Sequence, residues 1–388
     1  MEKQKILFGI DNFLLKAEKF KPLRLALVTN NAATTSQGEL SRKVLMKSGF
    51  NIIKLFSPEH GLAAQGEDGA YQSNITDGAT GLPVISLYGD YLLPTEKDLA
   101  DVDAVLFDIP DVGCRFYTYL WTMTYVMEAC AKFNKQLIIL DRPDPTCGNM
   151  DLAEGPMLDE TNCSSFTGRW SIPVRHCCTL GELASYFAST RINNLDLQII
   201  KVQNWKREQT AKEAGWFFTS PSPAITDAET AILYPALGLM EGINVNEGRG
   251  TPFPFKIFGA PWINTSQLQK TFQSLRMPGI NCQSFVYTPT GGLYADESCN
   301  GLQLAITDAS AFRPVQTGLK LIQLITSLYP DHCKERLYST RANKTGKGHL
   351  DKLTGVYHSF KKIKNGVLPE TELADSIWKE IIQPFLLY

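Results

Sequence analysis

Six apolar segments in the first half of the chain constrain the fold more than any other feature. Each is rich in β-branched or aliphatic residues, and helix-like stretches lie between most of them. Strands that alternate with helices predict a parallel sheet covered by helices on both faces. We therefore predict an α/β fold, with a Rossmann-like parallel sheet. The apolar segments are 24–29, 51–56, 83–87, 103–108, 136–141 and 197–202, and the helix-like stretches are 38–48, 95–100, 118–133 and 179–189.

The alternation weakens after about residue 205, where serine, proline and glycine become frequent. A chain of 388 residues is long enough for two domains. We predict a Rossmann-like catalytic domain over residues 1–240 and a smaller α+β C-terminal domain over 241–388 that closes the active-site cleft. In the second domain we expect helices at 265–275 and 316–328, strands at 283–287 and 301–307, and a basic, solvated surface at 334–364.

Polar residues follow the predicted strands at the point where each strand ends. The carboxyl ends of parallel strands share one edge of a sheet, and open α/β sheets bind their ligands at that edge. The topology thus predicts a polar site assembled from residues far apart in the sequence. These residues are Asn30 and Asn31, Glu59 and His60, Tyr88, Asp108, and Asp141 with Arg142.

Glu59 and His60 stand directly after Ser57-Pro58, which must end the preceding strand because proline cannot continue a sheet ladder. A glutamate shielded at the start of a loop suits a general acid, and the histidine could orient it or bind a substrate hydroxyl. A metal site and a solvated turn are the alternative interpretations of the same residues.

The segment 107–119 combines Asp108 with Arg115, Tyr117 and Tyr119 at the expected start of a helix. An arginine at a helix N-terminus suits a carboxylate or phosphate of a substrate. The alternative is structural, with Asp108 capping the helix, Arg115 in a salt bridge and the tyrosines in the core.

Two further segments supply charged residues. In 244–252, glycines flank Arg249 and follow Glu247, an arrangement that lets the backbone approach a ligand closely. Glu154 stands in a Glu-Gly-Pro turn and offers another carboxylate. Neither nucleotide-binding fingerprint occurs in the chain, and we expect no dinucleotide, ATP or other cofactor.

Composition argues against several functional classes. The net charge of -2 leaves no basic excess for nucleic acid, and no apolar run reaches the ~18 residues of a membrane span. The nine cysteines show no zinc-site spacing, so we predict no metal and expect reduced, buried thiols. We expect His176, Cys177 and Cys178 to be structural. The N-terminal residues contain no recognisable export signal.

With these residues in view, the sequence resembles the YbbC-like family, whose characterised members are the NamZ exo-β-N-acetylmuramidases, a glycoside hydrolase family. The resemblance extends from about Gly9 to Pro330. It depends on the motifs at 57–61, 80–83, 86–89, 107–119, 140–143, 154–156, 173–176, 181–184, 221–223, 247–251 and 259–262.

The resemblance implies a two-domain enzyme that releases N-acetylmuramic acid from the non-reducing end of peptidoglycan fragments, with Glu59 as catalytic acid. The second group stays open between Asp108, Glu154, Glu247 and the acetamide of the substrate itself. Arg115 and Arg249 are candidates for binding the lactyl carboxylate. A periplasmic or secreted location is implied, with a cytoplasmic one as the alternative, and the oligomeric state is not readable.

Two other functional classes remain possible at this stage. One is a metal-dependent hydrolase built on His60 with Asp108 and Asp141. The other is a non-catalytic protein that binds cell-wall sugars on the same scaffold.

Overall fold

A seven-stranded, mostly parallel sheet forms the centre of the N-terminal part of the protein. The computed structural model describes residues 5–67, 69–70, 73–340, 343–369 and 372–388. The elements up to residue 237 are α1 (Gly9–Lys16), β1 (Leu25–Thr29), α2 (Ser41–Lys47), β2 (Ile52–Ser57), β3 (Ile75–Thr76), β4 (Pro83–Ser86), α3 (Glu96–Leu99), β5 (Ala104–Asp108), α4 (Tyr119–Lys132), β6 (Gln136–Leu140), α5 (Glu160–Cys163), α6 (Leu180–Thr190), β7 (Leu197–Ile200), α7 (Ala211–Ala214) and α8 (Ala228–Leu237).

The strand order is β3-β4-β2-β1-β5-β6-β7, and only the short β3 runs antiparallel to its neighbour. All six apolar segments of the sequence are strands of this sheet, which confirms the α/β prediction. Every residue of β1 and β5 is buried. Two hydrophobic clusters lie against the sheet, and the larger one includes the wholly buried Trp121 of α4.

A smaller antiparallel sheet and several helices form the C-terminal part. Its strands pair in the order β8-β10-β9, and the predicted helices and strands of this part are all present. The mostly parallel sheet thus belongs to the chain before α8, and the chain after residue 237 forms a separate antiparallel sheet. The elements are β8 (Ile257–Ala260), α9 (Thr265–Ser274), β9 (Ile280–Tyr287), β10 (Cys299–Ile306), α10 (Pro314–Leu328), α11 (His349–Thr354), α12 (Ser359–Lys364) and α13 (Glu372–Ile382).

The segment 334–364 corrects one expectation, because it is not simply a solvated surface. Leu350, Leu353 and Ile363 are buried in the main hydrophobic cluster. Helix α11 packs against the 3₁₀ turn Gly238–Gly242, where a Cβ on Gly242 would lie 2.6 Å from the Leu350 side chain. Glycine is therefore needed at position 242, and the basic segment helps to build the cavity described below.

The cysteines are as predicted: all nine are buried and none forms a disulfide. Burial raises the pKa of the Cys178 thiol well above its ordinary value, so this thiol is not an activated nucleophile. His176 lies in the same interior, where its carbonyl oxygen accepts a hydrogen bond from Trp378 Nε1 at 2.9 Å. Among the described helices, none is both long and apolar enough to cross a membrane.

Candidate active site

A cavity of about 530 Å³ lies where the carboxyl ends of β2 and β4 face the C-terminal part of the chain. Glu59 and Thr118 from the N-terminal part of the chain line it, and so do Glu247 and Arg249 from the C-terminal part. Residues from both parts of the chain therefore enclose one hollow. Its polar lining also includes His60, Glu67, Tyr88, Tyr117, Ser222, Tyr234, Glu241, Arg336, Tyr338, His349 and Lys352.

Glu59 is fixed at the cavity wall by local structure. Strand β2 ends at Ser57, Pro58 follows, and the Gly61 amide donates to the Pro58 carbonyl at 3.0 Å to close a turn. The Glu59 side chain is 4% exposed. Its Oε1 accepts a hydrogen bond from the Gly69 amide at 3.0 Å, and its Oε2 accepts one from Thr118 Oγ1 at 2.7 Å. A carboxyl group held at both oxygens has a defined direction within the cavity.

His60 has a left-handed backbone conformation, with a φ of 67°. Such a conformation costs a residue other than glycine on the order of 1–3 kcal/mol and is frequent at functional sites. Nδ1 lies 2.8 Å from the Gly66 carbonyl oxygen, which can only accept, so Nδ1 carries the hydrogen. The ring also meets Tyr119 edge-on at 6.4 Å between centroids. The imidazole is thus held beside Glu59 at the cavity wall.

The glycines around Arg249 are explained by close backbone contacts. Gly248 has a φ of 85°, and a Cβ there would lie 2.5 Å from the Phe253 carbonyl oxygen. Gly250 has a φ of 78°, and a Cβ there would lie 2.5 Å from the Gly291 carbonyl oxygen. Only glycine fits these two positions, and the loop that results places Glu247 and Arg249 on the cavity wall.

Two carboxylates share two guanidinium groups on this wall. Glu241 Oε1 lies 2.9 Å from Arg249 Nη2. Glu247 lies farther from its partners, 3.6 Å from Arg249 Nε and 3.5 Å from Arg336 Nη1. Burial raises the pKa of Glu247, and the neighbouring negative charge of Glu241 raises it further. The two arginines lower this pKa, but the net shift is upward. Burial thus favours the protonated form of Glu247.

His349 and Tyr338 complete the same wall. The two rings stack at 4.4 Å between centroids and 10° between planes. His349 Nε2 lies 3.4 Å from Glu241 Oε2, and the guanidinium carbon of Arg336 lies 4.8 Å from the Tyr338 ring centroid. The charged groups and the aromatic rings are thus in one continuous contact network.

Arg115 does not line the cavity, which corrects its expected position at the substrate. It is completely buried, and its guanidinium donates to the carbonyl oxygens of Pro156, Ile172 and Leu353 at 2.7, 2.8 and 2.9 Å. Burial lowers the pKa of Arg115 to about 10. Its donors hold three chain segments together and are not available to a substrate carboxylate.

Asp108 and Arg142 pair with each other rather than face the cavity. Arg142 Nε donates to Asp108 Oδ1 at 2.6 Å and Nη2 donates to the Thr34 carbonyl at 2.7 Å. These residues lie at the ends of β5, β6 and β1, and the strand order reverses between β1 and β5. This is the position where related sheets bind a nucleotide. In this protein the Arg142–Asp108 ion pair lies there, beside a small cavity of about 40 Å³ that Arg142 helps to line.

Asp141 and Glu154 bind backbone amides and hydroxyl groups away from the cavity. Asp141 accepts hydrogen bonds from Thr179 Oγ1 and the Gly181 amide at 2.7 and 2.8 Å, and burial raises its pKa to about 6. Glu154 accepts hydrogen bonds from the Val315 and Gln316 amides at the start of α10, and burial raises its pKa to about 7. Both carboxylates stabilise helix N-termini.

The remaining predicted residues divide between the cavity and its support. Tyr117 lines the cavity, and its ring meets Tyr119 at 4.8 Å between centroids. Tyr119 lies behind it, where its hydroxyl donates to the Pro221 carbonyl at 2.6 Å and accepts from Asn30 Nδ2 at 3.2 Å. Asn31 Oδ1 accepts from Arg42 at 2.8 Å. Asn30 and Tyr119 therefore support the cavity without lining it, and Asn31, which binds Arg42, does not line it either.

Sequence reasoning missed several residues of the cavity wall. Glu241 lies in a 3₁₀ turn, and Arg336 and His349 belong to the segment interpreted as solvated. Thr118, which holds Glu59, was seen only as the start of a helix. The signal for Glu241 was a charged residue inside an otherwise apolar stretch, 236–243. No comparable signal marks Arg336.

The geometry offers little to a metal ion. Among the described residues, no group of three or more histidine, cysteine or carboxylate side chains could hold one. His60 lies at the cavity, while Asp108 and Asp141 have protein partners elsewhere. The three residues considered for a metal-dependent hydrolase are therefore not brought together.

Two family models together match almost the whole chain, from residue 25 to residue 388. Residues 25–229 match the family model for the N-terminal part of the exo-beta-N-acetylmuramidase NamZ, and residues 232–388 match the model for its C-terminal part. The division of the chain at residue 240 stays a prediction.

Similar individual proteins include one curated enzyme and two solved structures. The peptidoglycan beta-N-acetylmuramidase NamZ of Bacillus subtilis (strain 168) is 39% identical over 371 residues, which cover 95% of this chain and 87% of that protein. Crystal structures of two DUF1343 family proteins from Bacteroides fragilis NCTC 9343 superpose with TM-scores of 0.86 and 0.72, at 27% and 26% identity. Each comparison covers 99% of both chains.

Proposed function

This chain belongs to the NamZ family of exo-β-N-acetylmuramidases, and from that premise we propose how its cavity cleaves a muramic acid glycoside. The protein is a glycoside hydrolase that acts on peptidoglycan-derived saccharides and removes N-acetylmuramic acid from their non-reducing ends. The observation that carries the assignment of roles is that Glu59 and the Glu247–Arg249 loop line one cavity.

Glu59 acts as the catalytic acid. Cleavage of a glycosidic bond requires a proton on the leaving oxygen while positive charge develops at the anomeric carbon. Glu59 is almost completely buried, and Thr118 and the Gly69 amide hold its two oxygens. When the carboxyl group gives its proton to the leaving oxygen, both donors stabilise the carboxylate that forms. Water then supplies the hydroxyl group of the released sugar.

The structure leaves fewer candidates than the sequence did for the second catalytic group, which stabilises the positive charge at the anomeric carbon. Asp108 and Glu154 are engaged elsewhere, so of the three predicted carboxylates only Glu247 lines the cavity. Glu241 joins it there. The acetamide of the substrate is the remaining candidate for the group that stabilises the anomeric carbon, and a protein carboxylate would then orient it.

Arg249 and Arg336 bind the lactyl carboxylate that distinguishes muramic acid from glucosamine. Both guanidinium groups line the cavity, and a planar guanidinium matches a carboxylate in bidentate fashion. Arg336 takes the place that sequence reasoning had given to Arg115. Tyr117 and Tyr234 supply aromatic surface next to this wall for the sugar ring.

The test is hydrolysis of a muramic acid–glucosamine disaccharide, with mass detection of the released monosaccharide. We expect free N-acetylmuramic acid from the wild type, in the presence of EDTA as well. Glu59→Gln should lower the rate by about 10²–10⁴-fold, the usual effect of removing a catalytic acid. Glu39→Gln, at an exposed position that does not line the cavity, is the control and should keep most of the activity.

A Glu59→Gln variant that folds and retains more than a few per cent of the rate would reject Glu59 as the acid. Loss of activity with EDTA would instead favour a metal-dependent hydrolase. Action outside the cytoplasm stays a prediction, which cell fractionation of the native host would check.

A further inference from the structure

Six side chains form a closed ring of contacts on the cavity wall that contains the Glu247–Arg249 loop. Arg249 contacts Glu241, which contacts His349, and the His349 ring stacks on Tyr338. Arg336 lies over Tyr338 and contacts Glu247, which returns to Arg249. We call these six residues the charge ring. All of them line the cavity.

The charge ring contains no surplus positive charge. Its two guanidinium groups are matched by two carboxylates. Among the described lining residues of the whole cavity, four carboxylates stand against two arginines and one lysine. An anionic sugar that enters this cavity therefore meets arginines whose charge is already neutralised. Adding a further carboxylate without a proton would leave like charges close together in a poorly solvated space.

The longest ion-pair contacts of the charge ring are those of Glu247. Its contacts with Arg249 and Arg336 are 3.6 and 3.5 Å long, beyond good hydrogen-bond distance, whereas Glu241 lies 2.9 Å from Arg249. Within the part of the chain that the structure describes, Glu247 Oε2 and Arg336 Nη1 are buried without a hydrogen-bond partner, and so is Glu241 Oε1. The longer distances to both arginines are therefore what sets Glu247 apart. A buried carboxylate that is loosely bonded is the one whose partner an incoming anion can most easily take.

We propose that an anionic substituent of the sugar displaces Glu247 from Arg336 and Arg249, and that Glu247 takes up one proton from solvent in the same step. This inference deepens the proposed function, since it rests on the lactyl carboxylate as the anion. Glu247 is then a positioning and specificity-determining residue. Its neutral form fits beside the new ion pair, while its charged form repels the ligand.

The groups around Glu247 support this assignment of the proton. Arg249 and Arg336 face it from two segments and Glu241 from the 3₁₀ turn, while Tyr287 at the end of β9 donates to Asn246 nearby. Burial raises the pKa of Tyr287, so its hydroxyl stays neutral. Burial and Glu241 raise the pKa of Glu247 even before a ligand arrives, and loss of both arginine contacts would raise it further.

Proton uptake on binding determines how the affinity for the ligand changes with pH. If the complex holds one more proton than the free protein, affinity falls about tenfold per pH unit above the pH at which free Glu247 ionises. The ligand contributes no titration in this range, because its own carboxyl group ionises near pH 3–4. N-acetylglucosamine lacks the lactyl group, so its binding should show no such dependence.

The experiment is isothermal titration calorimetry of N-acetylmuramic acid binding to the intact protein, between about pH 6 and 8.5, in buffers of different ionisation enthalpy. We expect uptake of close to one proton per ligand bound, and none for N-acetylglucosamine. Glu247→Gln should bind N-acetylmuramic acid without proton uptake, more tightly than the wild type above pH 8. His349→Gln is a matched control from the same ring, because it removes the other titratable group that contacts Glu241 and changes neither carboxylate, and it should keep the uptake.

Wild-type binding without proton uptake would overturn the proposal, and this result needs no variant. Uptake that disappears in His349→Gln but persists in Glu247→Gln would also overturn it. Failure of the proposed function is distinguishable, since it would appear as no hydrolysis of the disaccharide. An active enzyme whose product binds without a proton refutes only the linkage.

Discussion

Replacing Arg115 by methionine separates a structural arginine from a substrate-binding one. Sequence reasoning placed Arg115 at the substrate, but its guanidinium donates to three carbonyl oxygens in the interior. Methionine keeps an unbranched side chain and removes all of the donors. We expect Arg115→Met to lower the stability of the protein and to leave substrate affinity almost unchanged.

The magnitude follows from two opposing terms. A buried carbonyl left without a partner costs about 1–3 kcal/mol, so three cost about 6 kcal/mol at the middle of that range. Burial lowers the pKa of Arg115 from 12.5 to about 10. At about 1.4 kcal/mol per pKa unit, this corresponds to about 3 kcal/mol of desolvation that the substitution relieves. The net loss of unfolding free energy is therefore about 3 kcal/mol.

The assay combines calorimetric unfolding with kinetics. An unfolding entropy near 2.1 cal/mol/K per residue over 388 residues converts this loss into a decrease in Tm of about 4 °C, if the chain unfolds as one unit. KM for a muramic acid glycoside should change less than about twofold. Arg249→Met should show the reverse, with KM raised about tenfold or more and a smaller change in Tm.

The exposed Arg24, which pairs with Asp103 at the surface, is a matched control. Arg24→Met should shift Tm by no more than about 1 °C. An unchanged Tm in Arg115→Met together with a tenfold rise in KM would refute the structural assignment. Arg115 would then have to reach the substrate by a rearrangement of the segments it now joins.

Three further outcomes can be checked directly. Because the folded-state pKa of Glu154 is raised to about 7, its contribution to stability should decrease as pH rises from about 4.5 to 7. The difference in Tm between the wild type and Glu154→Gln should therefore change over this range, and a constant difference would contradict the assignment. Gly250→Ala would bring a Cβ within 2.5 Å of the Gly291 carbonyl oxygen. Because this clash would displace the loop that carries Arg249, KM should rise by about tenfold or more. Gly78→Ala adds a Cβ in open space and should leave KM unchanged. Thr118→Val removes one hydrogen bond to Glu59 and should lower kcat by about tenfold, with serine restoring it; equal losses in both variants would exclude the hydroxyl.

The strands and the position of Glu59 were predictable because both depend on local sequence. Continuous apolar segments specify buried parallel strands, and Pro58 ends β2 immediately before Glu59. The glycines around Arg249 likewise indicated close backbone contacts, which the positive φ angles of Gly248 and Gly250 explain.

Pairing among the charged residues could not be predicted, because it depends on distances across the fold. Asp108, Asp141 and Glu154 carry the same chemistry as Glu247, yet each binds another protein group. Arg115 resembles an anion-binding arginine in sequence and is a buried structural one in space. Nothing local distinguishes a carboxylate that caps a helix from one that faces a cavity.

The sequence by itself determined the α/β architecture, the family and the glutamate at the end of the second apolar strand, since these follow from periodicity, proline and motif order. Tertiary structure alone decided which charges line the cavity. It brought Glu241, Arg336 and His349 from separate segments onto one wall with Glu247 and Arg249. The physical reason is that electrostatic contacts act through space over a few ångströms, whereas sequence patterns report only the conformation of neighbouring residues.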